Sequence, residues 1–277
     1  MFDKHLKNYI ISLLEEGKRE DFRALDEYRK IKIKTNINPN SEGSAYVELG
    51  NTKVIAGVKI SIGEPFPEFP EDGIVIFELD LSPTSHEDTP AELIPIEAEL
   101  ARVIDRGFRE GKVIDTKKLC IEKGKFVYTI FIDIIVLNDD GNVIDAGALA
   151  SFLALATARL PKIEKENETY KVNPKEKTKR VIPLTKIVLP ITLAKINNSI
   201  IVDPTKKEEK FADLLLTISR EEEFIHGLQK SKYGSINYEE IKRALELSRK
   251  KFKELKEIVK PYFKENLKMQ TEKNKEK

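Results

Sequence analysis

Arg102, Arg106 and Arg109 stand four and three residues apart in the run EAELARVIDRGFREG, residues 97–111. At roughly 100° per residue, an α-helix gathers all three on one side and places Leu100, Val103, Ile104 and Phe108 on the other. Arg102 and Arg106 form a like-charge i,i+4 pair, which costs about 0.2–0.5 kcal/mol unless an anion offsets it. Two anion sources suit this spacing. Glu99 could pair with Arg102 and Asp105 with Arg109 within the helix, leaving Arg106 over. Alternatively, the guanidinium forks could meet successive phosphates of an extended nucleic-acid strand. The residues alone leave both readings open.

Other chemistry finds little support. His5, His86 and His226 are dispersed, with no pair at metal-ligand spacing. No Gly-rich phosphate loop, nucleophile elbow or HExxH motif occurs. The acid runs Asp139-Asp140, Glu208-Glu209 and Glu221-Glu222-Glu223 fall where turns or helix starts are expected, and solvation or capping accounts for them. The single cysteine, Cys120, lies between Leu119 and Ile121 as a strand residue would, and excludes an internal disulfide or a multi-thiolate zinc site. No metal or cofactor is expected.

Composition sets outer bounds. The 277 residues carry 48 Lys and Arg against 47 Asp and Glu, a formal charge of +1. Nucleic acid could therefore be held only by a local basic patch, not by a general basic coat. No stretch approaches the roughly 20 apolar residues of a membrane span, and the N-terminal segment is acid-bearing and unlike a secretory signal. A cytoplasmic protein with no membrane partner is expected.

Periodicity places the elements that would carry the arginines. A helix is expected over residues 4–16, followed by strands at 31–34, 44–49, 53–60 and 74–81, with Gly50-Asn51 as a hairpin turn. The arginine helix spans about 91–111. Strands at 118–121 and 127–137 lead into an Ala- and Leu-rich buried helix over 147–158. Further strands are expected at 191–196, 199–202, 212–219 and 224–230. Asn237 with Glu240 then caps a helix ended by Pro261. The result is an α+β fold of two related halves, each a mixed sheet packed against helices. The divisions are an N-terminal helix (1–17), a first half (18–161), a charged surface loop or linker (162–180), a second half (181–262) and a disordered charged tail (263–277).

Several stretches in this order resemble the RNase PH family. They are Arg19-Glu20-Asp21-Phe22-Arg23, GSAYVELGNTKVIAGV (43–58), IEKGKFVYTIFIDIIVLNDDGNVIDAGALAS (121–151) and DPTKKEE (203–209). Family members often have Gly where Phe22 stands. The resemblance implies a role in phosphorolysis, in which inorganic phosphate attacks the 3′-terminal linkage of RNA and releases a nucleoside diphosphate. That chemistry needs a cationic phosphate cradle and a general acid.

Both requirements fail here. The family's Gly-Thr/Ser-Arg cradle reads Gly147-Ala148-Leu149, and neither Ala nor Leu has a side-chain donor. The acid before the family's Val-Pro pair aligns with Val188, in a 182–196 segment without Asp or Glu. The resemblance therefore implies no catalytic residues of its own. It is similar to the non-catalytic RNase PH-like ring subunit of the archaeal exosome, alternating with a catalytic subunit as three heterodimers and carrying RNA-binding cap subunits. Arg102 and Arg106 match the family's RNA-contacting helix, and Arg109 follows on the same face. The alternative is that the chain is itself a phosphate-dependent 3′-to-5′ exoribonuclease.

Overall fold

A computed structural model describes residues 2–82, 90–166 and 169–273. Helix α1 (Phe2–Glu15) precedes strands β1 (Ile31–Thr35), β2 (Gly43–Leu49), β3 (Thr52–Gly63) and β4 (Ile74–Leu81). Gly50 turns the β2–β3 hairpin at φ +60°, which glycine adopts at no steric cost. Helix α2 (Pro90–Glu110) crosses over to β5 (Cys120–Glu122) and β6 (Phe126–Asn138). That crossover lets β4 pair parallel with β6, in a sheet ordered β1-β2-β3-β6-β4 whose other pairings are antiparallel. Helix α3 (Val143–Thr157) is apolar nearly all round and is packed into the core from Val143 to Ala156.

The second sheet contains β9 (Leu189–Ile196), β10 (Ser199–Val202), β11 (Leu214–Arg220) and β12 (Ile225–Ser231), ordered β10-β9-β11-β12. Helix α4 (Lys206–Phe211) lies between β10 and β11, capped by a reciprocal Thr205–Glu208 box. The α+β class with two sheet-and-helix halves is as expected. A mixed sheet is found only in the first half. All second-sheet pairings are antiparallel, because short turns join β9 to β10 and β11 to β12 and no parallel crossover intervenes.

Two other expectations are corrected. The 162–180 segment is no irregular loop. It belongs to a hairpin of β7 (Arg159–Glu166) and β8 (Thr169–Val181). Its charges compensate across strands, as in Lys171–Glu166 at 2.6 Å, and Tyr170 packs edge-on against Phe126 at 5.3 Å. High charge concealed a strand pair whose hydrophobes are few but matched, Ile163 opposite Val172. Likewise Pro261 does not end the last helix, and 263–273 is not a disordered tail. Helix α5 runs from Tyr238 to Lys273. Its far half is held by tertiary contacts: Phe263 lies 6.2 Å from Phe152, Asn266 donates to the Ala156 carbonyl, and Gln270 donates to that of Leu184. These outweigh the one backbone hydrogen bond that proline forfeits. Residues 274–277 lie outside the described residues.

The N-terminal segment ties the halves together. Ile10 and Leu14 of α1 pack on Ala194, Ile196, Ile201 and Phe211 of the second half. Beyond it, Arg19 donates to both carboxylate oxygens of Glu208 and to the carbonyls of Val202 and Asp203. Arg29 grips the Asp203 carboxylate with Nε and Nη2, at 2.9 and 2.8 Å, and Arg23 reaches it at 3.0 Å. The three arginines of the 19–29 stretch, Arg19, Arg23 and Arg29, thus serve as a staple. Phe22, between Arg19 and Arg23, is 95% exposed and held at φ +66°, a left-handed conformation that non-glycine residues seldom adopt.

Asp203 has no exposed surface. Asp203→Ala would leave Arg23 and Arg29 without their shared carboxylate, an expected loss of about 3–5 kcal/mol in unfolding free energy. Chemical denaturation checks this. Nearby, Glu209 accepts from the Asn142 N–H at 2.7 Å. Burial pushes its carboxyl up to about 7, with Asp139 adding repulsion against the pull of Asn142, Lys206 and Arg29. Burial also pushes Asp145 up to about 6. In the unfolded chain such carboxyls titrate near about 4. Their contribution to stability is therefore complete below about 4 and lost as pH rises through about 6 to 7. The melting temperature should fall over that interval. Glu209→Gln, which keeps an acceptor for Asn142, should flatten the profile.

Candidate nucleic-acid interface

Helix α2 lies across both halves, which fixes its faces. Leu93, Ala101, Val103, Ile104 and Phe108 are buried, with Phe108 stacked obliquely on Phe77 at 5.1 Å. Ile104 rests where a side chain at Gly147 would sit, so α2 also packs on α3. Toward the second half, Gly107 meets Ser219. A Cβ there would come within 2.8 Å of the serine hydroxyl oxygen, so only glycine lets α2 lie this close to β11 and β12.

All three arginines face solvent, as the periodicity requires. Their partners differ from the intrahelical scheme. Arg109 does pair with Asp105, at 2.9 Å. Arg106 instead donates to the side-chain oxygen of Gln229 on β12, at 3.2 Å. Glu99 is engaged by the Gln229 amide nitrogen at 2.9 Å, and Arg102 makes no hydrogen bond or ion pair among the described residues. Arg102 thus has no direct ion-pair partner among the described residues, and Arg106 is held by a neutral group. Gln229 was invisible to sequence reasoning, since nothing in HGLQK signals a contact with a helix about 120 residues away.

The rail has an acidic flank. Arg102 borders an open groove of about 370 Å³ with Glu78, Asp80, Glu97 and Asp105. Asp133 lies opposite Glu78 on the parallel strand, and burial, with Glu78 and Asp80 adding repulsion, pushes its carboxyl up. The carboxylates thus stand on one flank of α2, with Arg102 at their border and Arg106 and Arg109 exposed beyond it. No cluster of His, Cys, Asp or Glu among the described residues could hold a metal ion.

The three positions that the resemblance sets against a phosphate cradle and an acid, Ala148, Leu149 and Val188, are apolar core. Ala148 is fully buried, Leu149 is 3% exposed and Val188 is 1% exposed. Val188 fills the space beside Gly111 at the end of α2. No helix of the described residues is long and apolar enough to cross a membrane.

A mixed sheet and an antiparallel sheet, stapled together and bridged by an arginine-bearing helix, define a two-domain protein of RNase PH type. The chain belongs to the 3′ exoribonuclease family: domain 1 of that family matches residues 27–161 and domain 2 matches residues 186–251. It is 42% identical to the exosome complex component Rrp42 of Thermococcus gammatolerans over 259 residues, covering 92% of this chain and 93% of that protein. The Rrp42 of Thermoplasma acidophilum is 39% identical over 255 residues, covering 91% and 94%. Among solved structures, a chain of the Archaeoglobus fulgidus exosome with RNA bound to the active site superposes with a TM-score of 0.83. It is 32% identical, covering 93% of this chain and 99% of that one.

Proposed function

We propose that this chain is a non-catalytic RNase PH-type subunit of an archaeal exosome, acting in the cytoplasm. It alternates with a catalytic RNase PH-like subunit in a ring of three heterodimers that carries RNA-binding cap subunits. It orders its neighbour's active site and grips RNA through Arg102, Arg106 and Arg109 while the neighbour performs 3′-to-5′ phosphorolysis. The observation that carries this reading is the exposed rail, in which Arg102 is unpaired and Arg106 has only a neutral partner. Such charges on a protein of net charge +1 form the local cationic site that a phosphate backbone needs. The assembly rests on similarity to Rrp42 proteins and to an exosome chain from a complex with RNA.

The division of labour is supported by Ala148, Leu149 and Val188. None of them can donate to phosphate or protonate a leaving oxygen, and all three are packed in the core. The purified chain, given RNA and inorganic phosphate, should release no nucleoside diphosphate until its catalytic partner is added. Release by the chain alone would overturn the assignment in favour of an autonomous phosphorolytic nuclease.

In the reconstituted ring, the double substitution Arg102→Glu/Arg106→Glu should weaken RNA binding about tenfold or more. It should also reduce the slope of log affinity against log salt by about one per lost phosphate contact. Unchanged affinity and processivity with an intact ring would mean that the arginines are merely solvated.

A further inference from the structure

The geometry points to Gln229 as a positioning residue that keeps two arginines of the rail available to RNA, a role that rests on the function proposed above. Its amide sits between opposites. Arg106 can only donate, and it faces the Gln229 oxygen at 3.2 Å; ionised Glu99 can only accept, and it faces the Gln229 nitrogen at 2.9 Å. A reversed amide would set donor against donor and acceptor against acceptor, so one orientation is fixed. Among neutral side chains, an amide supplies both polarities from one planar group. Carboxylate at this position would repel Glu99 and neutralise Arg106, whereas an ammonium would repel Arg106.

Two consequences follow for the rail. Arg106 is held in place without surrendering its charge to a carboxylate. Glu99 is drawn toward β12 and away from Arg102, its natural i,i+3 partner on the same helix. That diversion explains why the ion pair expected from the sequence is missing and Arg102 is unpaired. The close approach that makes the bridge possible depends on Gly107 against Ser219, with Gly227 beside Ser219 on the neighbouring strand. Arg106 and Gln229 line the nearly closed seam between α2 and β12 together with these residues. The second half thereby sets the state of a binding surface carried by the first.

The test uses the ring reconstituted with its catalytic partner and an unstructured oligoadenylate as probe. Gln229→Ala should weaken binding about three- to tenfold and lower the salt slope by about one, as Glu99 captures Arg102 and Arg106 loses its support. Adding Glu99→Gln to that variant should restore most of the loss, by more than Glu99→Gln alone improves the unaltered ring. Gln229→Glu should bind more weakly than Gln229→Ala. Melting temperature and ring assembly, measured in parallel, separate these effects from misfolding; should Gln229→Ala not assemble, the Gln229→Glu and Gln229→Glu/Glu99→Gln pair gives the same readout. Strictly additive effects at positions 99 and 229, or unaltered affinity in Gln229→Ala, would overturn the role of Gln229 while leaving the rail intact. No effect from Arg102→Glu/Arg106→Glu would instead overturn the rail itself.

Discussion

Asp203 accepts hydrogen bonds from Arg23, Arg29 and Asn142, so one fully buried carboxylate joins the N-terminal segment, the start of α3 and the end of β10. Burying charge is costly, and the cost is recovered only when every partner is in place. The network therefore forms completely or not at all, and it forms only when the two halves meet in one arrangement. Arg29 also donates to the carbonyls of Asp140 and Gly141, at the turn before α3. Asn142 links Asp203 onward to Asp145, which Tyr28 and Thr192 also hold, so α3 and the central strand of the second sheet are fixed in the same act. Hydrophobic contact between the halves gives cohesion but tolerates sliding. Directional ion pairs remove that freedom, which a helix bridging both halves requires.

The arginine helix inherits its geometry from this arrangement. Its apolar stripe is read by the first sheet and α3, and its glycine by β11 and β12. What remains outside is a row of guanidinium groups bordered by carboxylates. A protein of near-zero net charge can bind a polyanion only by such separation, with cations exposed on one line and their counter-charges held elsewhere. Asp105 retains Arg109, which leaves Arg102 and Arg106 as the arginines of the row without a direct ion pair among the described residues.

Much of this was legible in the sequence because local pattern and global fold agree. The alternation in residues 44–60 and 74–81, the Gly50-Asn51 turn and the 3.6-residue period of α2 each point to what forms. The solvent-facing arginines follow from the same period. The misreadings have a common physical source, namely contacts made far along the chain. The β7–β8 hairpin is nearly as charged as a disordered segment, yet cross-strand pairing and Phe126 organise it. Pro261 is a helix breaker in isolation, yet Phe152, Ala156 and Leu184 hold the turns beyond it. The Arg19–Arg23 and Asp203–Glu209 stretches stand out in the sequence as motifs, but nothing local shows that they pair with each other across about 180 residues. Gln229 belongs to the same class.

The apolar cradle positions and the rail are two sides of one physical exchange. A phosphate site must hold donors unsatisfied until its ligand arrives, and it must keep a cavity open around them, both at a cost in stability. Ala148, Leu149 and Val188 convert that volume into core, packed among residues that carry the junction of α2, α3 and β9. The exposed arginines carry no such cost, since water solvates them when no strand is bound. Under the proposed division of labour, this subunit sheds the expensive half of a phosphorolytic site and keeps the inexpensive half. The firmer core then supports the rail from beneath, because Ile104 and Phe108 stand on the helix that bears it.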